Sequence, residues 1–298
     1  MEQIQNNRVM TDLYRENAQF PGIALDGSDV YLCWQRFVDR HDSLMASCRR
    51  GDEVVWEREI SDGGEVLHPV ILAHGGAIWY AWSEYARENW RILARCYRDG
   101  QWGEVLTVAS GEALFFPRLF TWQGKLHVIW TEQHKGSAAA VLCPLTEAGP
   151  GAAETVSAVG EAYRAGAAEG GDGNLYVAYD GFDGKQYKLF ARARTAAGWS
   201  KEIVVSQGED WASTPWIAAK PDGAVVGWYD YGYMAVYSVR SADLTVRDGA
   251  LAAVNPQCLK EGVDWYLDLH VASNSSGLQA MAYTRSKYDV LVLSLIHI

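Results

Sequence analysis

The sequence predicts an all-β chain, a six-bladed β-propeller of four-stranded antiparallel blades. Three observations predict it. A large aromatic closes a short apolar run at Trp34, Trp82, Trp130, Tyr179, Trp228 and Tyr283, in steps of 48, 48, 49, 49 and 55 residues. A proline stands thirteen residues before four of them: Pro21, Pro69, Pro117 and Pro215. Between the apolar runs lie the Gly and Asp residues that tight hairpins need. A period in this range marks stacked or circular repeats, and it overrides the two-domain prior that 298 residues would suggest.

Each repeat resolves into four short strands. In the first, PGIAL, the turn DGSD and VYLCW lead to SLMASCR, the turn RGDE and VVWEREI. In the second, HPVILAH, a GG turn and AIWYAW precede the loop SEYARENW, then RILARCY, DGQW and EVLTVAS. The fifth reads PWIAA, KPDG and AVVGW, then MAVYSVR and a fourth strand near Leu244–Ala253. The second strands are almost continuously apolar, as in sheets covered on both faces. Four strands per repeat is too many for one turn of a solenoid, so a propeller is expected. The prolines are placed at the heads of innermost strands, where a missing N–H disturbs no ladder.

The sixth repeat offers only three strands, at Leu269–Ser273, Gln279–Arg285 and Tyr288–Val292. The segment NNRVMTDLYRENAQF before Pro21 aligns with a fourth strand plus connector. It is expected to complete the sixth blade and close the ring, removing open edges. The last six residues, LSLIHI, match the in-frame translation of a transposase mosaic-end adapter; VLVLSLIHI also reads as an ordinary terminal strand. On the adapter reading the propeller spans 1–292, residues 293–298 are foreign, and the protein continues past Val292.

Composition limits the partners. The formal net charge is -11, which disfavours nucleic acid, and no basic amphipathic segment points to a membrane. The N-terminus lacks the features of a signal peptide, so a cytoplasmic location is expected. Cys33, Cys48, Cys96 and Cys143 read as small buried apolar residues. The histidines show no metal-ligand spacing, no nucleotide or nucleophile motif is present, and no cofactor is expected.

Chemistry is expected where the loops after each landmark aromatic meet the connectors before each proline. Two residues past the landmark stand Arg36, Glu84, Glu132, Gly181, Asp230 and Arg285, with Asp180 one earlier in the fourth repeat. Glu84, Glu132, Asp180 and Asp230 are the candidate catalytic acids. Arg36, Arg118, Arg164, Arg285, His68, Phe116, Trp216, Tyr231 and His270 are the candidate ligand-binding residues. Carboxylates accept hydrogen bonds from hydroxyls, aromatic faces stack on sugar rings, and arginines clamp a carboxylate bidentately. Two carboxyls flanking a glycosidic bond would serve as acid and base or nucleophile. One axial pocket binding a glycan or small polar ligand is therefore expected, with glycoside cleavage as its enzymatic form. The alternative is a non-catalytic interaction or substrate-presenting domain at the front of a longer protein, such as one carrying a metal-dependent hydrolase.

The pattern P-x-I-A-x-D-G-x-x-V-Y-L-x-W, with a later D-G-x-W turn at Asp99–Trp102, resembles the six-bladed sialidase-like propellers along essentially the whole chain. The resemblance implies their architecture. It does not extend to their chemistry: the Asp-boxes are missing, FPGIA has no arginine where an R-I-P motif would stand, and the arginine triad has no counterpart. The repeats also look similar to those of six-bladed fucose-binding lectins. Those use one Arg, Glu and aromatic set in every repeat, whereas this rim changes from blade to blade.

Overall fold

A computed structural model describes residues 17–61, 63–158, 160–232, 237–263, 269–273, 279–283 and 292–296. Every regular element among them is a β-strand. The chain falls into two compact units, Met1–Ser110 and Gly111–Ile298.

The first unit holds two sheets. One is the meander β1 (Asn17–Asp26), β2 (Asp29–Val38), β3 (His41–Arg50) and β4 (Glu53–Glu59). The other joins β5 (Glu65–His74), β6 (Ala77–Ala86), β7 (Asn89–Arg98) and β8 (Gln101–Trp102), with β9 (Leu106–Gly111) also pairing β7. Strand β1 lies beside β5. Trp82, Tyr80, Leu44 and Ile60 are fully buried in the core that joins the two sheets, with Trp56 and Trp102 packed against it.

The second unit repeats the plan. Its first sheet comprises β10 (Ala113–Trp122), β11 (Lys125–His134), β12 (Ser137–Thr146), β13 (Gly149–Pro150) and β14 (Glu154–Thr155). Next come β15 (Ala162–Glu169), β16 (Leu175–Phe182), β17 (Tyr187–Thr195), β18 (Gly198–Trp199) and β19 (Ile203–Val204). A four-stranded sheet follows: β20 (Trp211–Lys220), β21 (Gly223–Tyr231), β22 (Tyr237–Arg247) and β23 (Ala250–Val263). The last has three strands, β24 (Leu269–Ser273), β25 (Gln279–Tyr283) and β26 (Val292–Ile296). The leading strands β10, β15, β20 and β24 lie side by side in succession.

In each unit an arginine ties neighbouring sheets together. Arg95 donates from Nε to Gly103 O (2.8 Å) and from Nη1 to Ile60 O of the preceding sheet (3.4 Å), under Trp102. Arg192 does the same with Ser200 O (3.0 Å), Val156 O (2.6 Å) and Trp199.

Three expectations are corrected. The prolines do not head their strands. Pro21, Pro69, Pro117 and Pro215 sit inside β1, β5, β10 and β20, at register shifts spanning Gln19/Gly22, Leu67/Val70, Phe115/Arg118 and Ser213/Trp216. A bulge residue needs no ladder partner, so a proline fits there without loss. The residue before each proline is left-handed: Phe20 (φ 51°), His68 (φ 53°), Phe116 (φ 55°) and Thr214 (φ 55°). Arg164 (φ 32°) repeats the device before Ala165. His68, Phe116 and Arg164 are therefore bulge residues of the leading strands β5, β10 and β15, not connector residues.

The fourth strand of the fifth repeat begins at Ala250, not Leu244. A turn at Asp248 (φ 51°) and Gly249 (φ 76°) keeps Leu244–Arg247 in β22. The third strand of the sixth repeat is Val292–Ile296, overlapping the adapter-like residues. Its register also differs. The landmark aromatic pairs the residue eleven later in the first four sheets (Trp34–Met45, Trp82–Leu93, Trp130–Val141, Tyr179–Phe190) and twelve later in the fifth (Trp228–Arg240). Tyr283 instead pairs Val292, nine later. The expected ring-closing segment before Asn17 lies outside the described residues.

Candidate functional site

The landmark aromatics Trp34, Trp82, Trp130, Tyr179 and Trp228 are buried, and so are most of the acids beside them. Glu84 has no exposed surface. On β6 it sits opposite Arg91 of β7, which forms an ion pair with Oε1, while Trp82 Nε1 donates to Oε2 at 3.2 Å. Asp180, also at 0% exposure, is held by Arg164 through Nε (3.2 Å) and Nη2. Asp230 (2% exposed) accepts from Trp228 Nε1 at 2.6 Å and lies 2.5 Å from Arg240 Nε. Burial raises the Asp230 carboxyl above its ordinary range, against the Trp228 hydrogen bond and the Arg240 charge.

Glu132 differs. The residue opposite it on β12 is Ala139, where β7 places Arg91 opposite Glu84. Glu132 makes no hydrogen bond or ion pair among the described residues, and Trp130 Nε1 has no acceptor. Of the four candidate acids, three are thus committed to internal arginines.

The ligand-binding candidates separate in the same way. Arg36 pairs with Glu59 at 3.3 Å. His68 packs edge-on against Phe20, with ring centroids 5.0 Å apart. Phe116 lies against Phe115. His270 pairs Ala282 through the backbone of β24, and Arg285 lies outside the described residues.

Arg118, Arg164, Asp180 and Trp216 are brought together. The Arg118 Cζ lies 3.6 Å from the Trp216 ring centroid, a close cation–π stack. Arg118 is on β10 and Trp216 on β20, with β15 between them. Its equivalent position on β15 is Gly166. A Cβ on Gly166 would stand 3.9 Å from Arg118 Cδ and 3.2 Å from Ile217 Cγ2, so the missing side chain is what lets Arg118 reach across. Arg118 makes no hydrogen bond or ion pair among the described residues. Its dense surroundings push its pKa well below the ordinary arginine value, to about 9. The Asp180 charge opposes that shift and the Arg164 charge adds to it. Asp180 is already engaged by Arg164, so two guanidiniums share one carboxylate and the cluster carries an unmatched positive charge.

Beside Arg164 begins a row of rings that sequence reasoning found only in part. Tyr163, Tyr187, Trp211, Tyr231 and Tyr237 follow one another with centroids 6.1, 5.6, 6.1 and 4.7 Å apart. Trp211 is 46% exposed. Tyr231 was legible from its place after a landmark. Tyr163 and Tyr187 were not, because they meet across the β15–β16–β17 ladder rather than along the chain. Among the described residues no group of three His, Cys, Asp or Glu side chains converges as a metal site.

No family model matches the chain, and no curated protein matches it in sequence. Solved structures share its fold. A neuraminidase-like protein of A/little yellow-shouldered bat/Guatemala superposes with a TM-score of 0.56 at 7% identity, over 90% of each chain. The fold is that of a β-propeller. Hydrazine synthase from Kuenenia stuttgartiensis also superposes on this chain (TM-score 0.57, 13% identity, all of both chains). So does an endo-arabinase from Bacteroides thetaiotaomicron (TM-score 0.50, 13% identity, 94% of each chain). At such identities the likeness is one of fold alone.

Proposed function

We propose that this propeller binds a carbohydrate-like ligand bearing an anionic group, held on its innermost strands by Arg118 over Trp216. The carrying observation is the Arg118 guanidinium. It is stacked, densely surrounded and left with its hydrogen-bond donors unused. A carboxylate or phosphate on the ligand would supply the missing charge and accept those donors. The row of rings from Tyr163 to Tyr237 supplies faces for sugar stacking. In this reading the six repeats are the six blades of the propeller.

Binding without hydrolysis is favoured over glycoside cleavage. Glu84, Asp180 and Asp230 are neutralised by arginines, and a glycosidase needs one carboxyl free to give a proton and a second free to act as base or nucleophile. Neighbours named as a neuraminidase-like protein and an endo-arabinase support a sugar-type ligand only through the shared fold. The non-catalytic alternative, a domain that presents a ligand to another part of a longer protein, uses the same site.

Isothermal titration with D-glucuronate and with D-glucose tests this. Glucuronate is expected to bind the wild-type chain and not the Arg118→Met variant, with glucose weaker. Equal glucuronate binding by both proteins would remove the proposal. Turnover of aryl glycosides that is lost in Glu132→Gln would establish the catalytic form.

A further inference from the structure

A cleft of about 440 Å³ opens between the two sheets of the first unit. That volume falls in the range of about 300–1,000 Å³ for small-molecule sites. It is lined by His41 at the start of β3, Gly64 and Glu65 at the entry to β5, Tyr85 and Arg87 around the β6–β7 turn, and Arg91.

The floor is rigid. A Cβ on Gly64 would stand 2.4 Å from Glu84 Cγ and 2.5 Å from its Cδ, so the backbone at Gly64 is pressed directly onto the buried carboxylate. Glu84 cannot yield, because Trp82 and Arg91 hold both its oxygens. Arg91 spends one amino group on Glu84 and keeps a buried Nε without a partner. One wall is Tyr85, 39% exposed and tilted against Trp90 with centroids 5.3 Å apart. At the rim, Arg87 and Glu65 carry opposite charges, and neither makes an ion pair among the described residues.

The charge balance indicates the ligand. Arg91 is matched by Glu84, and Arg87 by Glu65, so the lining has no net sign to attract an ion. It offers a fixed aromatic face, a carboxylate acceptor and guanidinium donors at separate points. Hydroxyls both donate and accept, and a pyranose or furanose has an apolar face for the ring. We propose that this cleft is a second binding site, independent of Arg118, for a neutral polyhydroxylated ligand of monosaccharide size.

Saturation-transfer NMR on the full chain tests it, with D-glucose, D-galactose, D-mannose and L-arabinose as probes. At least one sugar is expected to receive saturation from the wild-type protein and from Arg118→Met. The same sugar should bind about tenfold more weakly to Tyr85→Ala and to Arg87→Gln. Both positions are exposed, and unchanged thermal unfolding would exclude a folding defect. The inference is overturned if no sugar of the panel binds, if binding survives both substitutions, or if Arg118→Met alone abolishes it. Glucuronate binding through Arg118 is measured separately, so either site can fail while the other stands.

Discussion

Replacing Arg118 by methionine is expected to stabilise the ligand-free protein while destroying its anion binding. The magnitude follows from the arginine's surroundings. The fall of its pKa from the ordinary arginine value to about 9, at 1.36 kcal/mol per pH unit, sets a ceiling of about 5 kcal/mol on the cost of keeping this group charged. Arginine in proteins keeps its proton, so the cost is carried as lost stability rather than relieved by titration. Two effects reduce it. The Trp216 stack returns about 1–2 kcal/mol, and the solvent that Arg118 still touches screens part of the remainder. A net gain of roughly 1–2 kcal/mol is expected for Arg118→Met, whose thioether can remain against the Trp216 ring. At about 2–4 °C per kcal/mol, Tm should rise by several degrees. Thermal unfolding followed by circular dichroism, with and without saturating glucuronate, measures both effects. Wild-type Tm should climb with ligand by mass action, and the variant's should not. A variant less stable than wild type by 1 kcal/mol or more, or one that glucuronate stabilises equally, would refute the reasoning.

Other consequences are equally open to measurement. Gly166→Val should fill the gap through which Arg118 reaches Trp216, costing about 1–3 kcal/mol by overpacking against Ile217 and weakening glucuronate binding; titration calorimetry that shows unaltered affinity would contradict the proposed role of Gly166. Gly64→Ala should force Glu84 out of its ion pair and cost about 3–5 kcal/mol, read as a lower urea midpoint, whereas Gly27→Ala in an open turn should cost far less. The raised pKa of Asp230 gives a pH signature. Its carboxyl binds its proton more tightly folded than unfolded. Its contribution is therefore fully present below 3.8 and is lost as pH rises through the folded value. The stability advantage of wild type over Asp230→Asn should accordingly shrink as pH rises through the acid range, and an advantage that grows with pH would overturn the assignment.

The fold was legible because its signal is covalent and periodic. The first four landmark aromatics fill the same place in their sheets, and the sequence spacing carries that place directly. The ion pair of Glu84 with Arg91 was within reach too, since residues seven apart across a short hairpin face each other once the register is known. The Arg118–Trp216 contact was not. It joins strands of two sheets that are not neighbours and depends on a side chain that is missing at Gly166. Comparing the residue that follows each bulge proline, Gly22, Val70, Arg118 and Trp216, with Gly166 at the matching position would have shown an arginine and a tryptophan separated by a gap. The cleft beside Tyr85 was hidden for a different reason: it arises where turns of two sheets meet, and no single stretch of sequence carries it.

The recurring bulge has a consequence for how such a protein can change. Phe20, His68, Phe116, Arg164 and Thr214 are two aromatics, an imidazole, a guanidinium and a hydroxyl, yet all hold one backbone shape. That shape is imposed by strand register, with proline beside it in four cases, rather than by the side chain. The five positions are thus sockets that accept new chemistry without renegotiating the framework. A chain built this way can exchange the side chains at these positions one sheet at a time while the strand register stays as it is.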